Sequence, residues 1–191
     1  MMARKVIDKS KYVMIKYFFR VLFLVVAFNA SAQKYVVENG VITFFSDAVI
    51  EDIKAENIKM SSIFNIETSD IAFSIPIREF QFEKKLMQQH FNEKYMDSEK
   101  FPKGTFTGKI EGFDKSASSI QPVTATGKLT IHGVTQPVTM QGTIEMKNSK
   151  VAMKSRFIVK LADYKIDIPQ LMWQNIAEQV EVTVEITYKP Q

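Results

Sequence analysis

The chain has 191 residues, enough for one domain with a sizeable core and too few to make two domains the natural reading. It contains no cysteine, which excludes disulfides, thiolate metal sites, a nucleophilic thiol and the lipidated cysteine of a lipoprotein. The formal charge is +4, but residues 1–32 hold six of the 25 basic side chains (Arg4, Lys5, Lys9, Lys11, Lys16, Arg20) and one of the 21 acidic ones, Asp8; the remaining 19 and 20 give residues 33–191 a net charge of −1, which offers nucleic-acid binding no support.

Residues 1–32 read as a secretory signal peptide. A cationic stretch ending in Lys16 and Arg20 precedes the apolar run Val21 to Phe28, and Ala30-Ser31-Ala32 forms an A-x-A cleavage site ahead of Gln33. The run is too short to span a bilayer, and Arg20 interrupts any extension of it, so no membrane span is expected after cleavage. Met14 is an alternative start. The expected mature domain is 33–191, exported to the periplasm or secreted.

Strand-like runs then follow one another. Tyr35–Glu38 and Val41–Ser46 flank Asn39-Gly40, the dipeptide favoured in a tight type I′ turn, which predicts a hairpin there. Val49–Ala55 and Ile58–Ile66 come next, the latter with Ile58, Met60, Phe64 and Ile66 in one phase. Ile71, Phe73, Ile75 and Ile77 share a face that Phe80 and Phe82 continue one residue out of phase, as a β-bulge at Arg78-Glu79 or two short strands with a bend would produce. From Glu83 to Met96 the period changes to three and four, with Leu86, Met87, His90, Phe91, Lys94 and Tyr95 on one side, which predicts a short amphipathic helix at the mouth of the fold or in a long connection.

Strands resume with Phe106, Gly108, Ile110 and Gly112 facing one way, and 117–122 reads as a loop. The clearest stretch is Val123 to Met146. Val123, Ala125, Gly127, Leu129 and Ile131 alternate with polar residues, Val138, Met140, Gly142, Ile144 and Met146 do the same, and HGVTQP supplies the turn between them. Val151, Met153, Phe157, Val159 and Leu161 form another strand, residues 163–173 are irregular, and Val180, Val182, Val184, Ile186 and Tyr188 alternate cleanly in the last. This is an antiparallel meander whose edges are removed by closure into a barrel.

Within the hairpin, LTIHGVTQPV from Leu129 to Val138 resembles the most recognisable segment of the YceI-like family, and FPKGTFTG from Phe101 to Gly108 resembles the segment ahead of a family strand. A looser resemblance extends from Lys34 to Tyr188. It implies a lipocalin-like barrel around a long apolar lipid, typically a polyisoprenoid. The segment LMQQHFNEKYMDSEKFP departs from the more acidic, Arg-Asp-containing stretch expected there, as in a divergent branch.

The expectation is therefore all-β: a single antiparallel lipocalin-like β-barrel of about eight strands with one short helix. Strand phase places Phe64, Phe73, Ile75, Phe82, Phe106, Ile110, Leu129, Met140, Ile144, Phe157 and Val182 on the lining, where they would hold a hydrophobic small molecule, an isoprenoid or acyl lipid, with its head group near the mouth. Inward Gly108, Gly112, Gly127 and Gly142 either leave room for that guest or let the strands bend, and the two readings are compatible. Met60, Met87, Met140, Met146 and Met153 on or near the lining add adaptability. No catalytic residue, metal ligand or cofactor motif is found: His132 reads as a turn-holding residue, His90 as a surface or capping residue, and Asp163 and Asp167 as loop caps or contacts to a head group. No enzyme is expected. The alternative is a ligand-free envelope or stress-response interaction protein acting through its outer face or loops; oligomeric state is left open.

Overall fold

The structure, a computed structural model, describes residues 34–47, 52–168 and 177–191. The expected leader, and the irregular stretch from Pro169 onward, lie outside the described residues. Ten strands are formed among these residues: β1 (Lys34–Ser46), β2 (Ile53–Asn57), β3 (Ser61–Asn65), β4 (Asp70–Pro76), β5 (Gln81–Phe82), β6 (Lys103–Glu111), β7 (Gln121–Ile131), β8 (Val134–Lys147), β9 (Lys150–Lys160) and β10 (Gln179–Pro190). One α-helix is formed among the described residues, α1 (Lys85–His90), and it runs into a wider π-type turn over Phe91–Tyr95. No helix among the described residues is long and apolar enough to cross a membrane.

Neighbouring strands pair antiparallel in the order β10-β9-β8-β7-β6-β4-β3-β1, and β1 pairs back onto β10, which closes an eight-strand barrel. Closure pairs the long strands along most of their outer edges and sends alternate residues inward. β2 and β3 behave as one bent strand: Ile42 faces Asn57 and Val36 faces Ile63, so the register along β1 is kept across the break at 58–60. The break flips the inward phase from odd to even numbers, which is why Ile58 is exposed while Met60, Phe64 and Ile66 are buried. Asn57, fully buried, stabilises the break; its Nδ2 donates to the Pro76 carbonyl at 2.8 Å and its Oδ1 accepts the Lys59 N–H at 2.8 Å.

Three sequence expectations are corrected. Asn39-Gly40 is no hairpin turn; β1 runs straight through it, with a bulge at Glu38 that shifts the register on β10. A hairpin there would forfeit the long ladder from Tyr35–Pro190 to Phe45–Glu181, and that ladder outweighs a local turn preference. The slip between Ile77 and Phe80 is a 3₁₀ turn over Ile77–Glu79, not a bulge, after which β5 crosses to pair with β2. Gly112 lies past the end of β6 at φ +84°, a turn glycine with no inward place on the strand.

The β7–β8 turn tightens to His132-Gly133, both at positive φ (50° and 74°), with Ile131 facing Val134. That two-residue geometry matches the twist of the flanking strands. His132 Nδ1–H donates to the Tyr164 carbonyl at 3.3 Å, since a carbonyl oxygen can only accept. The Phe101 ring packs edge-on against the imidazole at 4.6 Å between centroids. Both contacts tie the turn to neighbouring segments.

Candidate functional site

Chain direction gives the barrel two unlike ends. At the end holding Lys34, Asn65, Asp70 and Pro190, the interior is solid: Tyr35, Phe64, Ile144, Val151 and Tyr188 are each at most 1 % exposed. The Phe64 ring lies 5.8 Å from that of Phe113 and 6.1 Å from that of Tyr188. Ser62 Oγ donates to the Ala72 carbonyl at 2.8 Å, which commits its proton and makes the Tyr188 hydroxyl the donor in the 2.7 Å contact between them. Burial pushes the Tyr188 phenol well above the ordinary tyrosine value, so it stays neutral and donates. This end is a floor.

Above the floor is a cavity of about 440 Å³, within the size range of small-molecule sites. Nine of the eleven predicted lining residues surround it: Phe73, Ile75, Phe82, Phe106, Ile110, Leu129, Met140, Phe157 and Val182. They are brought together because each lies on the inward phase of its strand. Phe64 and Ile144 share that phase but sit deeper, in the packed floor, and are corrected to structural residues. Period-two patterning tells which face a residue takes and says nothing of its height along the barrel axis. The same limit separates Met60 and Met146 from Met87, Met140 and Met153, which do line the cavity.

Of the inward glycines, Gly142 lines the cavity, whereas Gly108 and Gly127 face each other across β6 and β7 with the Phe106 ring laid over both. These two leave no open space. Bending and close approach, one of the two readings of the sequence, is what they serve.

At the upper end, four rings meet. Phe44 lies 5.4 Å from Phe80, 5.6 Å from Phe82 and 5.4 Å from Phe91, and Phe82 and Phe91 are 5.0 Å apart. Such tilted and stacked pairs add to the burial of the rings themselves. α1 and the turn after it lie against this mouth, presenting Met87, His90, Phe91 and Tyr95 to the cavity while Leu86 stays exposed. His90 is thus a lining residue, contrary to its reading as a surface or capping group. Burial raises the Tyr95 phenol above its usual value. Ile77 and Phe80 also line the cavity, on the face expected of them although outside the predicted set, and so do Phe44 and Met96, which were not singled out from sequence.

The lining is overwhelmingly aliphatic and aromatic, with a few polar groups near the mouth and beside Gly142. An apolar chain fits; a charged or richly polar one would lose hydration without compensation. A match to the YceI-like domain model spans residues 28–188. The chain belongs to the YceI-like family. No curated protein matches this YceI-like chain by sequence. Among solved structures, it is similar to a polyisoprenoid-binding domain from Saccharophagus degradans implicated in plant cell wall breakdown, at TM-score 0.71 and 13% identity over 82% of this chain and 98% of that one. It is also similar to Burkholderia cenocepacia BcnA (TM-score 0.65, 17% identity, 78% and 95% coverage) and to a Campylobacter jejuni YceI protein (0.60, 18%, 74% and 86%). At these identities the likeness shows the fold.

Proposed function

We propose that this YceI-like protein is an exported carrier that holds one long apolar molecule, a polyisoprenoid or another lipid, non-covalently in its lumen and does no chemistry on it. The observation that carries the reading is the cavity of about 440 Å³ enclosed by apolar side chains above a sealed floor. A barrel acting only through its outer face has no need of such a space, since filling it with side chains would add stability. Removing the guest's apolar surface from water supplies the driving force, roughly 25 cal/mol per Å² before the cost of ordering the chain. The description of the Saccharophagus relative as a polyisoprenoid-binding domain supports the prenyl class, and the A-x-A site before Gln33 supports export.

Native mass spectrometry of protein purified without detergent from an exported fraction tests both parts. The expected result is a polypeptide beginning at Gln33 that carries a discrete added mass, extracted into organic solvent as a prenyl or acyl compound. A bare polypeptide mass that stays unchanged after incubation with prenyl and fatty-acid mixtures would overturn the carrier reading.

A further inference from the structure

The wall of the barrel changes character between β8 and β9. Their ladder runs from Lys147–Lys150 to Gly142–Ser155 and stops there. Both strands continue: β8 stays paired with β7 up to Val134, and β9 with β10 up to Lys160. Over that stretch β8 and β9 do not pair with each other, and Pro137, which cannot donate to a ladder, lies within it. Higher up, Gln136 Nε2 donates to the Asp163 carbonyl at 2.9 Å, and His132 reaches the Tyr164 carbonyl, so a strap crosses above the gap.

The cavity lining shows where the gap leads. Every lining residue on the other strands belongs to the inward phase, but Thr143 and Lys154 do not. They are exposed on the outer face and pair with each other one step below the last rung. Gly142, on that last rung, lets the Lys154 backbone come close, since a Cβ there would lie 2.5 Å from the Lys154 carbonyl oxygen, so the seam can open only above this rung, where the ladder ends. The floor prevents a bound chain from extending downward, so a chain longer than the lumen must leave through the mouth or through this wall.

The chemistry at the gap selects what passes. Ser155 Oγ donates to the Gln141 carbonyl at 2.7 Å and retains lone pairs that can accept, and Thr143 adds a hydroxyl on the outer lip. The nearby cations are already matched, Lys154 Nζ to Glu185 at 2.9 Å and Arg156 Nε to Glu181 at 3.6 Å, which suits an uncharged polar group better than an anion. We propose that the β8–β9 seam is a second, lateral opening of the lumen, through which the uncharged polar end of an apolar chain, an alcohol of the prenyl or fatty class, reaches the outer surface beside Thr143 and Ser155. This rests on the carrier reading and places the polar end at the side wall instead of the mouth.

The cysteine-free chain permits a direct test. Thr143→Cys and, separately, Lys154→Cys are reacted with a maleimide before and after loading with geranylgeraniol, uptake being followed independently by native mass; Lys128→Cys, outward on β7, is the reference. Loading is expected to slow labelling at both seam positions by about fivefold or more at saturating guest and to leave the reference unchanged. Uptake of the guest with unchanged labelling at 143 and 154 would overturn the lateral opening and spare the carrier. If geranylgeraniol adds no mass, the carrier reading fails for this class and the opening fails with it.

Discussion

Gly108 and Gly127 face each other in register across β6 and β7, and a Cβ built on either would collide with the backbone of the other and with the Phe106 ring. On Gly108 the added atom would lie 2.7 Å from Phe106 Cζ and 2.9 Å from the Gly127 Cα. Two backbones and a ring share a space that leaves room for no side chain.

Gly108→Ala and Gly127→Ala should therefore each destabilise the barrel, by about 1–3 kcal/mol as for other overpacked sites. A urea titration gives the answer as a fall in midpoint at unchanged slope. Wild-type stability in either variant would mean that the strands can separate to admit the methyl group. Leucine at Gly127 would test folding and would say little about uptake.

Uptake is better probed at Ala125, which lines the cavity between Ile110 and Met140 in the strand register. Ala125→Phe puts a ring where the guest would lie. Uptake of a prenyl alcohol should drop at least about tenfold while the fold is kept, the strain being of order 1–3 kcal/mol. Phe64→Ala makes the opposite comparison: it opens the floor, should cost about 3–5 kcal/mol, and should leave uptake intact where the protein remains folded. Equal uptake by wild type and Ala125→Phe would place the guest elsewhere.

The contrast between Ala125 and Phe64 also shows what the sequence could and could not tell. Alternation along β7, β8 and β10 made the inward face legible, since each strand there is long and unbroken and one face is wet. Closure of eight strands followed from the need to remove edges. Height along the axis was illegible, so Phe64 and Ile144 were grouped with true lining residues. Periodicity put His90 on one side with Met87, Phe91 and Tyr95, but it does not tell whether that side covers the barrel mouth or faces solvent. Of the mouth aromatics Phe82 was placed on the lining, whereas Phe44, on a segment expected to turn back at Asn39-Gly40, was not.

Tyr188 supplies a pH dependence. Burial raises its pKa above the ordinary value of 10.0, so the folded state keeps the phenolic proton under conditions where the unfolded chain loses it. Its contribution is fully present below the unfolded pKa, and stability must fall as pH rises above about 10, by at most about 1.4 kcal/mol per pH unit for this group. Tyr188→Phe should lower stability at neutral pH by about 1 kcal/mol, the net worth of the bond to Ser62, and should flatten the alkaline loss. Urea midpoints for both proteins at pH 8 and pH 11 decide it, parallel declines being the outcome that excludes Tyr188 as the source.

The last relationship predicts a gain. The β8–β9 turn consists of Asn148 and Ser149, both at positive φ (52° and 59°), between Lys147 and Lys150, the closing pair of the ladder. Asparagine tolerates the left-handed region, but serine pays roughly 1–2 kcal/mol for it, and glycine does not. Asn-Gly is the preferred pair for this turn geometry, yet the chain places its Asn39-Gly40 inside β1, where the glycine lets the strand pass within 3.1–3.2 Å of Ile186, the Glu185 carbonyl and Met60 if a Cβ were present. Ser149→Gly should thus stabilise the barrel by about 0.5–1 kcal/mol after the extra flexibility of glycine in the unfolded chain is subtracted. The turn is on the outer end of the floor, far from the mouth, so uptake should not change. A urea midpoint at or below wild type would mean that Ser149 meets no strain there.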